Sequence, residues 1–155
     1  MIVRSARVKH LVEVFEDLSD VTRNELLACG RLPFNLMGEM RQTLFRAGAV
    51  SRAVSTGGDT LFIISHEPHP TDEHARVMSS AYAQAYFDMG ASGVRLGRRF
   101  LKAMQREWSG VTFISATRSP HPDTARWLTL LGFEPVTKDV YRLPPTNVDK
   151  TQRLR

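Results

Sequence analysis

The clearest pattern is a run of apolar side chains four residues apart. Leu96, Phe100, Met104 and Trp108 recur through VRLGRRFLKAMQREW, while Arg95, Arg98, Arg99, Lys102 and Arg106 fall mostly off that stripe. The spacing predicts a long amphipathic helix with one buried face. KHLVEVFEDL carries Leu11, Val14, Phe15 and Leu18 at the same period, and a second helix follows through Leu26 and Leu27, capped by Ser19 or Asp20 and ending near Gly30. Pro33 interrupts, and NLMGEMRQTLF forms a further helical piece.

Other segments read as strands. A first strand is expected over about residues 1–8, around Ile2 and Val3. In AGAVSRAVSTGGDTLFIIS two β-prone runs flank Thr56-Gly57-Gly58-Asp59, the pattern of a tight hairpin. Leu61 to Ile64 is continuously apolar, which suits a strand covered on both faces. VTFIS is a compact strand, and VTKDVYRL reads as one last strand. ARVMSSAYAQAYFDMG predicts a helix ending at Gly90, with Thr71 as N-cap and Asp72 and Glu73 in its first turn. Tyr82, Gln84 and Tyr86 also alternate, so a strand over 80–87 is the alternative.

TARWLTLLGFEPV is a helix with a defined stop. Trp127, Leu128 and Leu131 share its buried face, Gly132 supplies a left-handed C-terminus, Phe133 folds back, and Pro135 prevents the helix from resuming. The order of strand, helices, strands, helix, strand, helix, strand predicts an α/β (α+β) fold around a central sheet. One domain is expected over 1–143, followed by a polar tail, 144–155.

Composition adds little to this. The chain has 155 residues, 42% hydrophobic and 24% charged, an ordinary balance for a folded domain. The net charge of +5 favours anionic partners, and nucleic acid is the least supported because charge alone suggests it. Cys29, the single cysteine, sits in the apolar run LLACG, so a structural thiol is expected. MIVRSARVKH lacks the apolar core of a signal peptide, and the apolar runs are short of a membrane span, so a cytoplasmic protein without a membrane partner is expected.

GVRLGRRFLKAMQREW, VTFISAT, DTARWLTLLGFEPV and the strand through Tyr141 together resemble the C-terminal half of the GNAT acyl-CoA N-acyltransferase fold. The resemblance covers about residues 90–143 and implies a mixed central sheet flanked by helices. Over the same region the chain is similar to the small GNAT-like internal virion proteins of podophages, several of which look like acetyltransferase folds without the catalytic pattern. Two functions follow as expectations. One is an N-acetyltransferase using acetyl-CoA. The other is a non-catalytic phage protein that acts in virion assembly or binds a host protein.

The resemblance also implies site residues. Its pyrophosphate loop reads Gln/Arg-x-x-Gly-x-Gly/Ala; with Gly97 in the last place, Ser92 and Arg95 occupy the other two and depart from the pattern. Gly93 and Gly97, helped by Arg95, Arg98 and Arg99, remain the candidates for holding the cofactor phosphates on a helix N-terminus. The family's Asn position falls on His121, a catalytic candidate able to contact the pantetheine arm or act as an acid, and its catalytic Tyr position falls on Leu128, which has no proton to give. Glu67 and His66 lie where the family places a general base, and either is chemically able. His66, Glu67, His69 and His74 match no ordered zinc pattern, so no metal is assigned.

Overall fold

The computed structural model describes residues 1–117 and 122–146. A seven-stranded sheet in the order β1-β2-β3-β4-β5-β7-β6 carries helices on both faces. The strands are β1 (Ile2–Ser5), β2 (Val50–Ser55), β3 (Phe62–Pro68), β4 (Ala75–Tyr82), β5 (Thr112–Ala116), β6 (Glu134–Thr137) and β7 (Val140–Leu143). The helices are α1 (Val8–Glu16), α2 (Asp20–Ala28), α3 (Pro33–Leu44), α4 (Gln84–Asp88), α5 (Ala91–Glu107) and α6 (Pro122–Leu131). Every strand pair is antiparallel except β4 with β5.

Alternation along β3 and β4 builds two cores. Phe62 and Ile64 pair with Tyr82 and Ser80 on the face beneath α5 and α6. Ile63 pairs with Ala81 on the opposite face, where Leu11, Val14 and Met40 of α1 and α3 cover it. The continuous apolar run from Leu61 to Ile64 therefore serves both faces, as such a run does in a covered strand.

Local chemistry sets the helix ends. Ser19 Oγ accepts the Thr22 N–H at 3.2 Å and starts α2. Pro33 does not interrupt but opens α3 at its first turn, where its missing N–H costs nothing. Gly132 closes α6 with φ of 103°, and the Phe133 N–H returns to Leu128 O at 3.0 Å.

Two segments differ from the sequence expectation. The helix predicted to end at Gly90 is β4 as far as Tyr82, followed by the short α4. Seven consecutive register pairs with β3, from Phe62↔Tyr82 to Pro68↔Arg76, outweigh the helical spacing of Val77, Met78, Ala81 and Tyr82. Both faces of β4 are covered, so its apolar residues need no single stripe. The last strand is a hairpin, β6 and β7, folded at Lys138-Asp139, because Val136 and Val140 belong to different strands of one pair.

Gly93 and Gly97 explain how α4 docks on α5. A Cβ on Gly93 would stand 2.7 Å from the Tyr86 carbonyl oxygen, and one on Gly97 would stand 2.6 Å from the Tyr86 hydroxyl and 2.9 Å from Leu131 Cδ2. Gly97→Ala should destabilise the fold by about 1–3 kcal/mol through this overpacking. Gly38, exposed within α3 with open space around its Cα, should do the opposite, Gly38→Ala adding about 0.5–1 kcal/mol from helix propensity. Urea denaturation of the two variants checks the opposite signs.

Candidate functional site: a cleft where two parallel strands part

β4 and β5 pair over only three positions, Ala75↔Thr112 to Val77↔Ile114. Beyond Val77, β4 continues to Tyr82 with no strand of the described residues beside it on that edge. The edge can be identified from its two ends. The Thr112 N–H donates to His74 O at 2.9 Å, and the Ser19 N–H donates to Tyr82 O at 2.9 Å. Even-numbered residues of β4 thus turn their backbone groups toward the gap, and those of Met78 and Ser80 lie between the two ends. Across the gap, the Thr117 N–H turns away to Asp139 O at 2.8 Å in the β6–β7 turn. Alternation then directs the backbone of Ala116 inward. The turn before α2 closes the far end through the bridge Leu18↔Ala83.

The parting opens a cleft of about 290 Å³ that connects the two faces of the sheet. Glu25 and Cys29 of α2 line one side, Ser80 and Tyr82 of β4 the floor, and Thr117 and Leu128 the other side. Trp127 extends the wall, 4.9 Å from the Tyr82 ring and edge-on to it. Arg31 and Glu39 form an ion pair at the rim.

Two ionisable groups in the cleft are displaced in the same direction. Burial pushes the Glu25 carboxyl above the usual carboxylate range, against a hydrogen bond with the Thr117 side chain that lowers it. Burial also pushes the Tyr82 phenol well above its ordinary value; its hydrogen bond with the Ser80 side chain opposes this, and the nearby Tyr86 and Glu25 add to it. A carboxyl moved toward neutrality and a phenol held protonated are the groups a proton transfer needs.

The structure distributes the sequence candidates unevenly. His66 is buried in β3, with Phe113 and Trp108 ring centroids at 5.0 and 5.2 Å. Its Nδ1 accepts from Arg76 Nε at 2.7 Å, and Arg76 Nη2 donates to Gly48 O at 2.6 Å. The Arg76 guanidinium lies 4.2 Å over the Trp108 ring. Glu67 pairs with Arg46 at 2.8 Å, opposite Val77 at the closed end of the β4–β5 pair. Neither His66 nor Glu67 lines the cleft. His69 Nδ1 accepts the Asp72 N–H at 3.1 Å within the β3–β4 loop, and His74 is exposed.

Gly93 and Gly97 are buried, with Tyr86 filling the space beside both. Arg95, Arg98 and Arg99 are exposed along α5, and among the described residues none of the three joins an ion pair. The N–H groups that follow β4 are engaged: Gln84 N–H donates to Asp17 O at 2.7 Å and Ala85 N–H to Asp17 Oδ2 at 3.3 Å. His121 lies outside the described residues. Leu128, the position of the implied catalytic Tyr, lines the cleft as an apolar wall. Glu25 and Tyr82 were missed because Glu25 is an unremarkable polar position on α2. Tyr82 falls in a segment whose spacing predicts a helix, and of the alternating Tyr82, Gln84 and Tyr86 only Tyr82 lies in β4.

The sequence matches no protein-family model and no curated protein. Solved structures are similar throughout the chain. The aminoglycoside acetyltransferase AAC(6')-Ib in complex with ribostamycin and coenzyme A superposes with a TM-score of 0.63 at 15% identity, covering 99% of this chain and 96% of that one. A putative acetyltransferase of the GNAT family from Desulfovibrio desulfuricans gives 0.63 at 19%, covering 92% and 98%. A phosphinothricin acetyltransferase from Sinorhizobium meliloti in complex with AcCoA gives 0.59 at 13%, covering 93% and 88%. The mixed sheet flanked by helices is thus the GNAT fold. No helix among the described residues is long and apolar enough to cross a membrane.

The His66–Arg76 contact has a pH signature. Burial first, then the charges of Arg76 and Arg52, lower the His66 imidazole from 6.5 to about 4. Between those values the unfolded chain takes up a proton that the folded chain refuses, so stability falls as pH drops from about 6.5 to about 4. The loss should approach roughly 3 kcal/mol. His66→Gln keeps an acceptor for Arg76 without titrating, and should flatten this part of the stability curve in denaturation at stepped pH. His10, also lowered chiefly by burial, leaves a residual slope in both proteins.

Proposed function

We propose that the chain is an acyl-CoA-dependent N-acyltransferase with acetyl-CoA as donor. The observation that carries this reading is the gap between β4 and β5, bordered by the Met78 carbonyl and the Ser80 backbone groups, which have no ladder partner among the described residues. The pantetheine arm of CoA is extended and carries two amides, so it can complete the sheet there as an added strand does. Its thioester would then lie in the cleft beside Glu25 and Tyr82. The similar structures solved with coenzyme A and with AcCoA support the same donor. Arg95, Arg98 and Arg99, exposed and without ion pairs among the described residues, are the cations proposed to meet its phosphates. Gly93 and Gly97 contribute by letting α4 and α5 approach closely. A cytoplasmic setting, where acyl-CoA is available, suits the free Cys29.

One observation favours a second reading, a non-catalytic GNAT-like protein of a phage that binds a virion or host protein. The helix α4 stands between β4 and α5, and the Gln84 and Ala85 N–H groups are already bonded to Asp17. A phosphate group placed there would meet the Asp17 carboxylate instead of free donors.

Titration calorimetry separates the readings. Acetyl-CoA should bind with a Kd of about 100 µM or tighter, and replacing Arg95, Arg98 and Arg99 together by Ala should weaken it about tenfold. No heat at millimolar acetyl-CoA defeats the acyltransferase reading and leaves the second.

A further inference from the structure

We propose that Glu25 and Tyr82 are the catalytic base and acid of this cleft, Tyr82 supplying from β4 the hydroxyl that Leu128 lacks on α6. This rests on the acyltransferase reading. One geometric and two electrostatic observations support it. Both side chains line one cleft of about 290 Å³, although α2 and the α5-facing side of β4 are otherwise separated by the sheet. They are close enough for the Glu25 charge to act on the Tyr82 phenol. Each also holds a hydroxyl-bearing neighbour in the cleft, Thr117 at Glu25 and Ser80 at Tyr82.

The protons balance. The amine nitrogen of the acceptor forms its bond to the thioester carbonyl carbon, and Glu25 takes the proton that the nitrogen sheds. The C–S bond breaks with its electron pair going to sulfur, and Tyr82 gives its phenolic proton to that sulfur. Protonated Glu25 then releases its proton to solvent, and the Tyr82 oxygen takes one back from solvent in the open cleft. Amine and thioester become amide and thiol, and both residues regain their starting states. The dry surroundings that keep Tyr82 protonated also raise the basicity of a thiolate formed beside it, so the transfer is not opposed by the raised phenol. Among the described residues, the other ionisable groups bordering the cleft are Cys29, Arg31 and Glu39, with Arg31 and Glu39 paired to each other.

The test uses near-isosteric variants, Glu25→Gln and Tyr82→Phe, with Glu25→Asp as the conservative rescue. Acetyl-CoA is the donor. Spermidine, a cationic amine suited to a cleft bordered by Glu25 and Glu39, and water are the acceptors, with products counted by mass spectrometry. Both variants should bind acetyl-CoA within about twofold of the parent and lose about 100-fold or more in kcat. The acid limb of the pH–rate profile should vanish in Glu25→Gln and return in Glu25→Asp. A variant that keeps the parent kcat, or an unchanged acid limb in Glu25→Gln, overturns the pair. A parent protein that binds acetyl-CoA yet acetylates neither spermidine nor water overturns the pair while leaving the donor site standing. A parent that does not bind acetyl-CoA overturns the acyltransferase reading and the pair with it.

Discussion

The parting of β4 and β5 is the constraint on which the rest depends. Parallel strands normally share a ladder along their length, and each unpaired backbone group buried without a partner is costly. Here the ladder stops after three register pairs. The last residues of β4 bond to the turn before α2, and β5 pairs on its outer edge with β7. Trp127, Leu128 and Phe133 line the gap from the α6 side. The open edge at the Met78 carbonyl and the Ser80 backbone is tolerated because it faces a cleft that solvent or a ligand can fill.

That constraint decides which polar groups face chemistry. At the closed end, where the ladder is intact, the buried polar groups are saturated. Arg76 gives its protons to His66 and Gly48 and rests its charge on Trp108, so His66 is fixed as a neutral acceptor. Glu67 is held by Arg46. At the open end, Glu25 and Tyr82 are desolvated with no cation of the described residues bonded to either, and burial displaces both from their ordinary values. The same sheet therefore places polar groups with saturated partners and desolvated polar groups at opposite ends of one strand pair.

The helix α4 is the main departure from a simple strand-to-helix passage. Its Tyr86 ring occupies the room left by Gly93 and Gly97, and its first N–H groups are satisfied by Asp17. Glycines that a motif would assign to phosphate thus have a packing reason of their own. Any phosphate contact then falls to side chains, which the exposed Arg95, Arg98 and Arg99 supply.

Much of the fold was legible in local pattern. The stripe of Leu96, Phe100 and Met104 gave α5, Gly57-Gly58 gave the β2–β3 hairpin, and Gly132-Phe133 gave the end of α6. These are features that neighbouring residues decide through periodicity and left-handed backbone. β4 was not legible, because Val77, Met78, Ala81 and Tyr82 suit a helix until β3 offers them a full register. The site was least legible of all. Glu25 and Tyr82 stand far apart in sequence, and only the gap between two strands brings them to one cleft. His66 and Glu67 looked suitable by residue type, but their reactivity depended on neighbours that the sequence does not place. By itself the sequence determined the elements and their ends, which are set within a few residues. Tertiary structure alone decided where the ladder stops, because that depends on competition among strands, turns and side chains distant in the chain.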